Sequence, residues 1–285
     1  MWIADQWQDY EVLDCGGGEK LERWGDVYLR RPDPQAIWPA RDPSLWRKAQ
    51  AHYHRSEKGG GSWEFFTKLP DRWVMNYKNL RFYVRPTGFK HTGLFPEQAA
   101  NWDWMTDLVA ERVKQGREVR VLNLFAYTGT ATVHAAACGA RTTCTVDMSA
   151  TYLDWARRNM ANNGFSGRAH RFERADVMQW ITEARRDRRL FDLVFVDPPT
   201  FSNSKSMGRR TWDVQRDHVE LLIGVSRLLR EGGHAVFSCN LRTFKPDFES
   251  LEKYGVEIED ITAQTIPHDF ERNPRIHKCY LVKRA

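Results

Sequence analysis

The sequence predicts an α/β protein in which a seven-stranded, doubly wound sheet over residues 96–285 follows a small β-rich region at residues 1–95. Three observations support this. From residue 120 onward, short apolar runs alternate with segments of helical period. The first of these runs passes straight into a glycine turn and a helix start, Val121-Leu-Asn-Leu-Phe-Ala-Tyr-Thr-Gly-Thr-Ala-Thr-Val-His-Ala135. Acidic residues then close successive strands, at Asp147, Asp176 and Asp197.

In chain order, strands are expected at Tyr10–Leu13, Asp26–Arg30, Trp73–Tyr77 and Arg81–Arg85, each a short apolar run bounded by turn residues. Prolines hold Arg31–Pro39 largely extended. The triple glycine in His54–Ser62 is too permissive for local propensity to fix its shape. Pro86–Gln98 links this region to the core. Residues 97–115 form an amphipathic helix, with Trp102, Met105, Leu108, Val109 and Val113 on one face.

The core strands are expected at 120–125, 143–147, 169–173, 191–197, 234–239, 256–261 and 278–283, with helices around 130–138, 150–163, 177–187 and 214–230. Val121–Phe125 is the kind of run that a parallel sheet buries on both faces. Gly129 permits a turn and a close backbone approach, and Thr128 and Thr130 are placed to cap the helix that follows. Asp147 stands eighteen residues beyond Gly129, where nucleotide-binding α/β units carry an acid, about 20 residues past the turn, that holds ribose hydroxyls. A single glycine of the G-x-G-x-x-G pattern disfavours a dehydrogenase.

Composition narrows the class. No run approaches the ~18 consecutive apolar residues of a membrane-spanning helix, and Met1–Asp5 lacks the features of a signal peptide. Five scattered cysteines without a C-x-x-C pair point to a reducing, cytoplasmic setting and to neither a disulfide framework nor a metal centre. A net charge of +6 and twelve tryptophans suit a nucleic-acid partner, although a mildly basic balance is also common in soluble enzymes. Arg55 and Lys58, beside the triple glycine, either contact RNA or sit on a plain hairpin tip.

Five motifs bear on function: Asn123-Leu-Phe-Ala-Tyr-Thr-Gly129, Val146-Asp-Met-Ser149, Asp197-Pro-Pro-Thr-Phe-Ser-Asn-Ser-Lys205, Asp213-Val-Gln-Arg-Asp-His218 and Asp269-Phe-Glu-Arg-Asn273. Together they resemble the class I S-adenosylmethionine (AdoMet) methyltransferases. Within that class they are similar to the bacterial 23S rRNA guanine-N7 methyltransferases, the C-terminal halves of bifunctional large-subunit rRNA methyltransferases. The resemblance covers residues 80–285 and implies a Rossmann-like seven-stranded fold, AdoMet as cofactor, 23S rRNA as partner, a cytoplasmic location, and no membrane or metal.

The resemblance also assigns residues. Thr92 and Phe95 would lie across the AdoMet pocket. Asn123 and Phe125 would belong to the cofactor set, and the turn Ala126, Tyr127, Thr128 and Gly129 would hold the methionine end. Asp147 would take the ribose, with Met148 near the adenine; Ser149 belongs to the same cofactor set or caps the next helix. Asp176, followed by Val177, would accept from the adenine amino group. Asp197, Pro198, Pro199 and Phe201 would close the catalytic side, with proline carbonyls free for a base edge and Phe201 stacked on the base. Lys205, Arg209, Arg210, Arg216 and Arg242 would face RNA phosphates, joined by Arg272 and Asn273. Cys239 stands where related cytosine-C5 enzymes carry a nucleophile, so cytosine C5 is an alternative reaction. A noncatalytic RNA-binding scaffold is another.

Overall fold

The structure, a computed structural model, describes residues 6–56, 60–202, 211–266 and 277–284. They fall into an N-terminal unit ending at Glu97 and a C-terminal unit beginning at Gln98.

The N-terminal unit is built on a five-stranded sheet: β1 (Tyr10–Gly16), β2 (Glu19–Trp24), β3 (Val27–Pro32), β4 (Ala51–Arg55) and β5 (Gly61–Phe65), in that spatial order. Only the β3–β4 pair is parallel, with Leu29 opposite Ala51. A separate hairpin joins β6 (Trp73–Tyr77) to β7 (Leu80–Val84). Leu21, Trp24 and Leu29 from the sheet are buried, as are Met75, Tyr77 and Phe82 from the hairpin. So is Glu22. Its carboxylate receives both arms of Arg31 at 2.5 and 2.7 Å, the Tyr10 hydroxyl at 2.7 Å and the Lys20 ammonium at 3.0 Å. Arg31 in turn lies 5.0 Å from the centre of the Trp24 ring. A charged group survives in this core because every part of it is paired.

The C-terminal unit begins with α1 (Ala99–Lys114). After it the chain alternates β8 (Arg120–Leu124), α2 (Thr130–Ala137), β9 (Thr142–Asp147), α3 (Ala150–Asn162), β10 (His170–Arg174), α4 (Val177–Arg186) and β11 (Phe191–Val196). A short ribbon, β12 (Phe201–Ser202) with β13 (Trp212–Asp213), leads into α5 (Val214–Ser226). The chain then forms β14 (Leu229–Cys239), α6 (Phe248–Lys253), β15 (Val256–Asp260) and β16 (Lys278–Arg284). The α/β expectation holds: one seven-stranded sheet runs in the order β10-β9-β8-β11-β14-β16-β15. Among its pairings, β16 is antiparallel to both neighbours, which a reading of apolar runs does not reveal.

All six residues of β11 are buried, as expected for a central strand covered on both faces. Side chains of α4, α5 and α6 form the core on one face, including Trp180, Leu221 and Leu251. On the other, α1 packs on α2 and α2 on α3, with Trp102 stacked on His134 at 4.9 Å. Asp192, buried within β11, accepts the Arg120 amide at 2.8 Å and pairs with Arg230 at 3.2 Å. No described helix is long and apolar enough to cross a membrane.

Candidate active site

The strand order reverses between β8 and β11, so the turns that follow these two strands open the crevice where ligands of such sheets bind. The turn after β8 is unusual. Phe125 and Tyr127 both adopt left-handed backbone angles, φ 54° and 51°, although neither is glycine. Such residues each cost on the order of 1–3 kcal/mol and persist only where the surroundings over-determine them. Here the Ala126 amide donates to the Val146 carbonyl at 3.1 Å and the Tyr127 amide to the Asp147 carboxylate at 2.9 Å. The turn is therefore riveted to the end of β9.

Gly129 follows at φ 74° and is the cap residue of α2. A Cβ here would lie 2.6 Å from the Ala156 Cβ, so the glycine lets α3 approach the turn. The cap position of α2 falls on the glycine between Thr128 and Thr130, not on either threonine. Thr128 is buried, with its carbonyl accepting from the Asn159 side-chain amide at 2.9 Å. Asn123 lies lower still. Its amide donates to Thr132 Oγ1 at 3.0 Å, which meets Thr145 Oγ1 at 2.9 Å, so Asn123 braces the turn from inside the sheet.

Three carboxylates close the strand ends. Asp147 spends one acceptor site of each oxygen on its own turn, on Tyr127 at 2.9 Å and Ser149 at 2.8 Å. Burial raises its pKa above the usual range, and the amides of Ser149, Tyr127 and Met148 oppose that rise only in part. A desolvated carboxylate with lone pairs to spare is suited to paired hydroxyl donors. Ser149 is the cap of α3, accepting from Tyr152 at 3.3 Å, and the Met148 carbonyl takes Arg174 at 3.1 Å. Asp176 caps α4 through one oxygen, bonded to the Gln179 amide at 3.0 Å, and Val177 is buried beneath it. These residues, with Ala126 and Phe125, are the part of the expected cofactor set that the sheet gathers at one edge. Thr92 and Phe95 belong to the N-terminal unit, where Thr92 is buried and Phe95 meets His91 edge-on at 5.1 Å.

On the β11 side, the expectation that both proline carbonyls face a ligand needs correction. The Pro199 carbonyl accepts the Trp212 indole N–H at 2.7 Å and the Thr200 carbonyl accepts the Val214 amide at 3.0 Å, because the β12–β13 ribbon folds back over this loop. Trp212 also packs its ring 5.6 Å from Phe125, tying the loop after β11 to the turn after β8. Sequence reasoning did not single it out. Gln98 is a second bridge: it donates to Ser238 Oγ at 2.9 Å, reaches Asp197 at 3.5 Å, and accepts from Asn101 at 2.8 Å. Phe201, by contrast, is 56% exposed.

Cys239 ends β14 with 0% exposure, and burial pushes its thiol up to about 12, helped by the negative charge of Asp197. Near neutral pH it is a thiol, not a thiolate. Arg216, expected at RNA, forms a bidentate pair with Asp217 at 2.8 and 2.7 Å and donates to the Thr211 carbonyl. Its charge is largely answered within the protein, so it acts first as a strut at the start of α5. Arg242 is exposed, with no ion pair among the described residues. Lys205, Arg209, Arg210, Arg272 and Asn273 lie outside the described residues, as does Lys58; Arg55 is exposed at the end of β4.

A family model described as S-adenosylmethionine-dependent methyltransferase matches residues 37–264. A ribosomal RNA large subunit methyltransferase K/L of Vibrio parahaemolyticus is 46% identical over 229 residues, 80% of this chain and 31% of its own length. The protein of that name from Syntrophotalea carbinolica is 47% identical over 81% of this chain and 30% of its own. The chain thus spans about a third of the length of these relatives. The crystal structure of a SAM-dependent methyltransferase from Agrobacterium tumefaciens superposes with a TM-score of 0.79 at 26% identity, covering 97% of this chain and 90% of the other.

Proposed function

This chain belongs to the S-adenosylmethionine-dependent methyltransferase family, and from that premise we propose that it methylates large-subunit (23S) rRNA at the N7 of a guanine. The names of the two bacterial relatives support an rRNA substrate. The observation that carries the choice of N7 over cytosine C5 is the state of Cys239, buried and protonated at the strand end where cytosine chemistry needs an activated thiolate.

The site fits the cofactor on its own chemistry. Bound AdoMet supplies an electrophilic sulfonium methyl group. Asp147 takes the ribose hydroxyls on the lone pairs that Tyr127 and Ser149 leave open. The second oxygen of Asp176 accepts the adenine amino group, and the turn 126–129 holds the methionine end. Across the crevice, Phe201 stacks on the guanine. The Pro198 carbonyl, which has no partner among the described residues, accepts from the N–H groups of its Watson–Crick edge, and N7 then faces the opposite way. Guanine N7 offers a lone pair and has no proton to lose. No general base is required, and positioning supplies the acceleration.

Two outcomes test this reading. Phe201→Ala removes one base-stacking contact, on the order of 1–3 kcal/mol, and is expected to lower kcat/KM by roughly 10- to 100-fold while AdoMet affinity, read by calorimetry, stays unchanged. Cys239→Ala is expected to retain methyl transfer. Labelled methyl transfer to 23S rRNA, followed by nucleoside mass spectrometry, should yield 7-methylguanosine with both the native protein and Cys239→Ala. Appearance of 5-methylcytidine, lost in Cys239→Ala, would assign the alternative chemistry.

A further inference from the structure

The five-stranded sheet of the N-terminal unit carries a group of side chains for which the methyl-transfer reading has no use. His52 and His54 are two residues apart on β4, so both project from one face of the sheet. Glu64 on the neighbouring strand β5 lies opposite His52 in register. One donor atom from each of His52, His54 and Glu64 lies within 4.8 Å of the others. The two imidazole rings are 3.9 Å apart between centroids.

Each ring is already oriented by a carboxylate. His52 Nε2 meets Glu19 Oε1 at 2.6 Å and His54 Nε2 meets Glu64 Oε2 at 2.7 Å. Glu19 also pairs with Arg30, which fixes it beside His52. Where Glu19 takes the Nε2 proton, the lone pair of His52 sits on Nδ1, the arrangement in which a carboxylate behind an imidazole sets the tautomer of a metal ligand.

We propose that His52, His54 and Glu64 bind one divalent transition-metal ion of the zinc class, with water completing the coordination and Glu19 orienting His52 from behind. Two imidazole nitrogens and a carboxylate oxygen suit zinc and its neighbours, whereas calcium and magnesium call for oxygen ligands alone. Bonds of about 2.0–2.2 Å in a tetrahedral site bring donors to roughly 3.3 Å from one another, so the present spread closes by about 1.5 Å. The His54 and Glu64 side chains are 49% and 56% exposed and have the freedom to make that movement. The ion would pin the edge strand β5 to β4.

The test is a zinc titration of the full chain after treatment with a chelator, followed by calorimetry, with cobalt(II) visible absorption as a second readout. The expected result is saturable binding of one equivalent at zinc concentrations on the order of 100 µM or below. His54→Ala and Glu64→Gln, both substitutions of exposed side chains that leave the fold intact, should each weaken binding by about tenfold or more and abolish the cobalt spectrum. Absence of saturable binding in the native protein overturns the proposal. Unchanged affinity in both variants overturns it equally, because it places the ion on other histidines.

Discussion

Asp147→Ala is expected to weaken AdoMet binding by about 100-fold or more, since hydrogen bonds to a charged acceptor are each worth roughly 1.5–3 kcal/mol and the ribose offers two hydroxyls. Isothermal calorimetry with AdoMet reads the effect directly, before any RNA is added. Asp147→Asn retains one oxygen acceptor and should lose about tenfold. The carboxylate also accepts the Tyr127 and Ser149 amides, so the alanine variant loosens the turn as well as removing the contact. The asparagine variant keeps one of these two amide bonds as well as one acceptor for the ribose, so it is expected to disturb the turn less than alanine does. The pH dependence follows from the same burial. Because the Asp147 pKa is raised above the ordinary 3.8, protonation begins to remove the acceptor at a higher pH than for an exposed aspartate. AdoMet affinity should therefore fall on the acid side within that raised range. Native-like AdoMet affinity in Asp147→Ala would remove this residue from the cofactor site.

The second large effect lies in the N-terminal unit. Glu22→Gln keeps the shape of the side chain and its bond to Tyr10 but deletes the buried negative charge that pairs with Arg31 and Lys20. Breaking a buried ion pair by neutralising one partner leaves an uncompensated charge, and the expected loss is about 3–5 kcal/mol. Urea unfolding followed by tryptophan fluorescence measures it, with Trp24 beside the altered pair. The arginine and lysine charges hold the Glu22 carboxyl far below its ordinary value of 4.5, in spite of the burial that works against them. A depressed carboxyl contributes stability that is complete above the unfolded value and is lost as the pH falls toward the folded one. The native protein and Glu22→Gln should therefore differ most above about pH 4.5 and converge below it. Equal stability at neutral pH would show that the pairing only offsets its own desolvation.

The C-terminal sheet was legible because most of its strands are apolar runs with both faces covered. Val121–Phe125 and Phe191–Asp197 needed no knowledge of their neighbours to be read as strands. The exception is Leu229–Glu231, whose leucine and arginine spacing continues the helical period of α5. In the structure it opens β14, with Leu229 paired to Phe191 before the register shifts to His234 opposite Leu193. Tertiary pairing overrides local pattern there. The N-terminal sheet was half legible. β2 places charged Glu22 beside Leu21 in the core, and β4 interleaves histidines with Tyr53, so neither shows clean alternation. At the candidate site, the strand-end acids could be read because their position is a local property of each strand. Trp212 and Gln98 could not. Their importance lies in contacts with Pro199, Phe125, Ser238 and Asp197, set by how distant segments meet.

The antiparallel strand β16 has a consequence for how the molecule assembles. It threads between β14 and β15, and β15 has no other neighbour in the sheet. A ribosome delivers β15 first, so that strand waits without hydrogen bonds while the flank of β14 from Ala235 to Cys239 stands open as a template for any extended segment nearby. The closing event is the insertion of an interior strand rather than the addition of an outer one. The protein should thus acquire its finished sheet in one late step, and this interval is when a newly made chain is most exposed to pairing with another copy of itself.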